Sequence, residues 1–152
     1  WASFLVRQGQ IDAHSSVQIG MRGNPRTLDW LAPSTELGYE VITMERYRSL
    51  GMSETIKIIL DRIGDVPLYI TFDLDCMDPT VAPGVANIEA GVQGFQIDEV
   101  LELLRCVRGR NIIGGDVVCM MPTKDAPNQI TAHTASAVMF EIISLIADYL
   151  KG

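Results

Sequence analysis

The chain lacks the features that mark a cross-linked, nucleic-acid-binding or membrane-embedded protein. Its three cysteines, Cys76, Cys106 and Cys119, are scattered, odd in number and without C-x-x-C spacing. That pattern argues against a disulfide framework and a structural zinc site, and a reducing cytoplasm is the expected setting. No basic run occurs, and 12 lysines and arginines against 19 acids leave a net charge of −7, so the footprint of a nucleic-acid binder is missing. The longest apolar segment, AVMFEIISLIADYL, carries Glu141 and Asp148 and reads as too short for a bilayer span. No charged-then-apolar leader opens the chain, and no repeat, low-complexity tract or dividing linker interrupts it. An initiator methionine is also missing, and the opening WASFLVRQGQID reads as part of a helix. The expectation is a fragment of a longer protein.

What is present suffices for one globular domain: 152 residues, 47% of them hydrophobic. Four compact apolar runs bounded by turn residues predict strands near 16–22 (SVQIGMR), 39–44 (YEVITM), 67–73 (PLYITFD) and 111–121 (NIIGGDVVCMM). Helical patterns lie between and after them. SETIKIILDRIG offers Ser53 as N-cap, Ile56, Ile59, Leu60 and Ile63 at helical spacing, and Gly64 as a stop. IDEVLELLRCVRG places Asp98 and Glu99 in a first turn and Arg105 and Arg108 in a last turn, which suits the macrodipole. A final helix from about 131 to 150 shows Ala135, Met139, Ile142, Ile146 and Leu150 on one stripe. Strands alternating with helices predict an α/β fold, three layers deep with a mostly parallel sheet covered on both faces. Ligands of such sheets sit outside the carboxyl ends of the strands.

Asp73 and Asp75 stand at such an end, in YITFDLDCMDPTVAPG. If the strand continued through them, period-two alternation would point both carboxylates to one side, within about 7 Å. Two acids so placed repel each other, so something positive is expected nearby, and the pair can share a metal ion or bridge two. Hard divalent ions prefer such oxygen ligands, and manganese also accepts imidazole. Against this stands an ordinary reading, because an Asp-rich strand end followed by DPTVAPG is also common turn chemistry.

The longer stretch TFDLDCMDPTVAPG resembles the third signature of the ureohydrolases, the family of arginases, agmatinases and guanidinobutyrases. GQIDAHSSVQIGMRG, GGDVVCMMP and ITAHTASAVMFEI are similar to further segments of that family, in family order. A histone-deacetylase-like scaffold with one zinc is related but fits these segments less well. The resemblance implies an arginase-deacetylase-like fold and a binuclear Mn2+ centre, or Ni2+ or another divalent metal, held by four Asp and two His. It implies hydrolysis of a linear guanidino compound to urea and an amine, and assembly into trimers or hexamers. Asp73 and Asp75 match the last two metal ligands of the family.

The two earlier ligand motifs and the proton-shuttling histidine of the family have no match here. Residues 1–152 therefore read as the C-terminal half of one ureohydrolase domain, inactive without its upstream half. Asp12-Ala13-His14 imitates the start of one missing motif, but Ser16 stands where its final acid belongs, and His14 is not expected to be a ligand. Cys119 replaces the carboxylate that grips the guanidinium in the family, Asn87 replaces a threonine, and Gly91-Val92 replaces Gly-Gly. These departures imply an unusual substrate or, alternatively, a non-catalytic subunit that assembles with an active relative. Cys119 is expected to be a small buried apolar residue rather than a nucleophile, since no histidine can be placed beside it. His133 is expected at the surface or at a helix end. The glycines of IGGD lack the spacing of a phosphate loop.

Overall fold

Each of the four expected strands forms, and each pairs in parallel with one partner. The computed structural model describes residues 1–25, 27–89, 91 and 93–151. Val92 lies outside the described residues, so its departure from the family pattern has no structural counterpart here. Among the described residues the chain divides into two units, Trp1–Gly64 and Asp65–Gly152.

In the first unit the opening segment is helical, α1 (Ala2–Arg7). Strand β1 (Val17–Met21) pairs with β2 (Glu40–Thr43), with Val17 opposite Glu40 and Ile19 opposite Ile42. Helix α2 (Ala32–Glu36) precedes β2, with a proline in its first turn. Helix α3 (Met44–Leu50) follows β2 directly and is capped by the Thr43 hydroxyl, which accepts the Arg46 amide at 3.2 Å. Helix α4 (Met52–Ile63) starts not at Ser53 but at Gly51, whose φ of 78° ends α3 and opens α4 at a single residue. Glycine adopts that conformation without the steric cost other residues bear, and so overrides the capping preference of the nearby serine. Gly64 stops α4 as expected, at φ 55°. Ile59 and Ile63 are buried beneath it.

In the second unit β3 (Leu68–Asp73) and β4 (Ile112–Val118) run parallel, with Thr71 opposite Asp116 and Asp73 opposite Val118. β4 ends three residues earlier than expected, because Cys119 turns the chain into the left-handed region at φ 69°. The glycines of IGGD lie inside β4, and an ideal Cβ on Gly115 would fall 2.9 Å from Ile142 Cγ2 and 2.8 Å from the Ile70 carbonyl oxygen. Absence of that Cβ lets the last helix, α6 (Ile130–Lys151), lie close on the strand.

The buried stripe of α6 is Thr131, Thr134, Val138, Ile142 and Leu145, not the one read from the sequence. Only Ile142 is common to both; Leu150 is 76% exposed. Both stripes have helical spacing, and the threonines conceal the true one because their hydroxyls find partners inside, Thr131 accepting the Gly84 amide at 2.8 Å. The helix is 22 residues, long and apolar enough to cross a bilayer by length and composition, which corrects the shorter run read from the sequence. Here it packs on β4 and on α5 (Ile97–Arg105). Its two acids are ion-paired: Arg105 donates to Glu141 at 2.9 and 2.8 Å, and Arg108 to Asp148 at 2.8 and 3.1 Å. Arg108 stands beyond the end of α5, so it tethers α6 rather than complementing the dipole of its own helix.

Within the described residues β3 alternates in exposure. Leu68, Ile70 and Phe72 are half-buried, whereas Tyr69, Thr71 and Asp73 alternate with them and are exposed. The run looks uniformly apolar because Tyr and Thr are good strand formers, yet their hydroxyls converge on Asp116 at 2.9 and 2.7 Å.

The stripe assignment is open to a direct test. Ile142→Ala should cost about 2–5 kcal/mol by emptying a packed site, whereas Leu150→Ala should change stability by less than about 0.5 kcal/mol. Urea midpoints of the two variants decide it, and equal losses would contradict the observed stripe.

Candidate metal centre

The acids of YITFDLDCMDPTVAPG have two different tasks. Asp78 organises the turn: it accepts the Thr80 amide at 3.0 Å, the Thr80 hydroxyl at 2.5 Å and the Gly94 amide at 3.1 Å. A Cβ on Gly94 would lie 2.4 Å from the Asp78 nitrogen, so the two backbones meet where no side chain fits. The Pro-Gly of the motif has a similar cause. A Cβ on Gly84 would fall 2.7 Å from Asp125 Cα, and Asp125 in turn accepts the Thr131 and Ala132 amides at 3.0 Å each. These hydrogen bonds outweigh desolvation and hold the Asp125 carboxyl below its ordinary pKa. The loop is thereby fastened to the first turn of α6.

Asp73 and Asp75 converge, but not by the expected route. β3 ends at Asp73, and Leu74–Cys76 forms a 3₁₀ turn, so strand alternation does not extend through the pair. The Asp73 carboxylate caps that turn, accepting the Asp75 amide at 2.9 Å. Local bonding of this kind competes well with a strand ladder for Asp, and the turn seats Leu74 where it is fully buried. Rotation of the chain by the turn, rather than pleating, brings Asp75 beside Asp73.

The parallel register supplies the third member of the group. Asp73 is opposite Val118, so Cys119 emerges next to it at the same end of the sheet. The Cys119 Sγ donates to Asp73 Oδ2 at 3.1 Å, and its carbonyl accepts the Ala86 amide at 3.0 Å. One ligand atom from each of Asp73, Asp75 and Cys119 lies within 4.8 Å of the others. Cys119 is half-buried among acids and not a plain core residue, which corrects the expectation from sequence. Parallel pairing joins residues far apart in the chain, so nothing local in the sequence placed the thiol beside Asp73.

The electrostatics follow from this crowding. Desolvation, then the neighbouring Asp73 charge, raises the Asp75 pKa, while backbone and side-chain hydrogen bonds with Asn87 oppose the rise. Asn87 thus engages a candidate ligand directly, a role the sequence did not reveal. Burial and the two carboxylates push the Cys119 thiol up to about 12, so without a cation it is neutral and a poor nucleophile.

Neither histidine joins the group. The Asp12 carboxylate accepts the His14 amide at 2.9 Å and the Ser15 hydroxyl at 2.7 Å, and those bonds, the serine's first, lower its pKa. The imitation motif is a self-closed turn with a surface histidine. His133 is exposed in the first turn of α6, as expected. Among the described residues, Asp73, Asp75 and Cys119 are the single group of this kind.

Carboxylates gathered outside the carboxyl ends of parallel strands define an α/β protein that presents hard oxygen ligands at a sheet edge. The Arginase family model matches residues 1–144, and the chain belongs to that family. It is 35% identical to a guanidinopropionase of Pseudomonas aeruginosa, over 94% of this chain and 44% of that protein. It is 34% identical to an agmatinase of Photorhabdus laumondii, over 92% of this chain and 42% of that protein. The structure of the proclavaminate amidino hydrolase of Streptomyces clavuligerus superposes with a TM-score of 0.84 at 32% identity, covering 95% of this chain and 46% of that one. The fold is the arginase α/β fold in part, and the chain spans less than half the length of the curated relatives it matches.

In chelator-treated protein, Cys119 should alkylate at about pH 8 more slowly than a free thiol of pKa about 8.5. Asp73→Asn should speed the reaction, because it removes a charge that disfavours the thiolate. Mass analysis of the labelled peptide reads both rates, and a fast wild-type Cys119 would contradict the electrostatic account.

Proposed function

We propose that residues 1–152 are the C-terminal part of a single-domain amidinohydrolase that cleaves a linear guanidino compound, of the agmatine or guanidinobutyrate type, to urea and an amine. The observation that carries the reading is the convergence of Asp73 and Asp75 at the carboxyl end of β3, the two residues that the sequence resemblance matches to the family's last metal ligands.

The donor chemistry fits a divalent cation: two carboxylates, one raised in pKa by its neighbour, are relieved by a positive ion between them. Asp73 and Asp75 would hold Mn2+, or Ni2+, together with ligands from upstream chain. When bound, such cations would supply an acidified water for attack on the guanidinium carbon and stabilise negative charge on the attacking oxygen. The chain's own residues set the conditions for that. Asn87 orients Asp75 through its hydrogen bonds, and the Asp73 cap fixes the turn that carries Asp75. With the Cys119 thiol in place of a carboxylate, recognition of the guanidinium falls to other groups. A reducing cytoplasm, the setting that three scattered cysteines without C-x-x-C spacing suggest, forms part of this proposal. Trimeric or hexameric assembly belongs to the same proposal.

A second reading, a non-catalytic subunit that kept the fold, is favoured by one observation: a thiol stands beside Asp73, where the sequence resemblance implies a carboxylate. The two readings separate in the full-length protein. Urea release from agmatine, 3-guanidinopropionate and 4-guanidinobutyrate should vanish on metal removal and return with Mn2+ or Ni2+. Asp75→Ala should lower kcat/KM by more than the about 10–100-fold that loss of an outer-sphere partner costs. Absence of activity with every substrate and metal, unrepaired by Cys119→Glu, selects the non-catalytic subunit, and metal-independent urea release contradicts the mechanism.

A further inference from the structure

The third donor of the cluster is sulfur, and its chemistry differs from that of its two neighbours. Carboxylate oxygens are hard ligands suited to manganese and magnesium, whereas a thiolate is soft and favours zinc, cobalt and cadmium. Two ligands held tetrahedrally around one zinc-sized ion stand about 3.5 Å apart. Cys119 Sγ and Asp73 Oδ2 are 3.1 Å apart, and the ligand atoms of all three residues lie within 4.8 Å. The sulfur is also held in position. Val118 is fixed by its pairing with Asp73, and the Ala86 amide grips the Cys119 carbonyl at 3.0 Å, so the residue is anchored on both sides of its Cα. Two strands thus deliver a mixed oxygen and sulfur donor set to one point.

On these grounds we infer that Cys119 is itself a metal ligand, and that with Asp73 and Asp75 it makes a site that prefers a thiophilic divalent cation, zinc or cobalt, over manganese. The inference rests on the reading of Asp73 and Asp75 as metal ligands and deepens it. Coordination forms a bond from sulfur to the metal and releases the thiol proton to water, with no change of oxidation state.

Cobalt reports the contact without any assay of activity. Metal-stripped full-length protein titrated with Co2+ should develop a near-ultraviolet thiolate-to-cobalt charge-transfer band. Cys119→Ser should lose the band while still binding cobalt, about 10-fold or more weakly, and its preference for zinc over manganese should fall. Cys119→Glu, an oxygen donor, should restore tight manganese binding without the band, and serves where the serine variant folds poorly. Cobalt bound by the wild type with no band, or with a band that survives in Cys119→Ser, overturns the inference and leaves the carboxylate site standing. If the wild type binds no divalent cation, and Asp75→Ala is indistinguishable from it, the underlying reading falls as well.

Discussion

The chemistry of this chain depends on one constraint: β3 and β4 are parallel and in a register that ends both strands at the same level. Parallel pairing sends both carboxyl ends to one edge, and the opposition of Asp73 and Val118 fixes what meets there. A slip by one residue would carry Cys119 away from Asp73 and turn its neighbours to the other face. Two features hold the register. Gly115 admits Ile142 against the strand, so α6 locks only where a glycine faces it. Thr71 and Tyr69 share the Asp116 carboxylate across the pair.

The site is built on conflict among like charges, and the surrounding loop is organised to hold that conflict in place. Asp73 is used twice, as cap of the 3₁₀ turn and as partner of the Cys119 thiol. Asn87 eases the crowded Asp75, while Asp78 and Asp125 are spent entirely on structure, closing the loop and anchoring it to α6. Acids of identical chemistry thus differ in how many hydrogen bonds reach them. Against desolvation, the Thr131 side-chain hydrogen bond and then the Ala132, Thr131 and Ala126 amides hold Asp125 low in pKa, whereas Asp75 is raised by burial and a neighbouring charge.

The fold class, the four strands and the long helices were legible in the chain because apolar runs and helical spacing are local signals. So was the pairing of Asp73 with Asp75, although for the wrong reason: the pair lies close through a turn, not through strand alternation. The stripe of α6 was misread because two of its five buried positions are threonines, whose polarity hides them from any search for apolar spacing. The start of α4 was misread because Gly51 does by backbone conformation what Ser53 was expected to do by side chain.

Local sequence alone settled that acids stand at a strand end, that His14 lies in a motif lacking its final acid, and that the segments follow the order of the arginase family. Which atoms meet was decided only by the tertiary structure. The contact between Asp73 and Cys119 spans 46 residues and follows from hydrogen-bonded register between two strands. Spacing along a chain carries no information about register until the strands have paired.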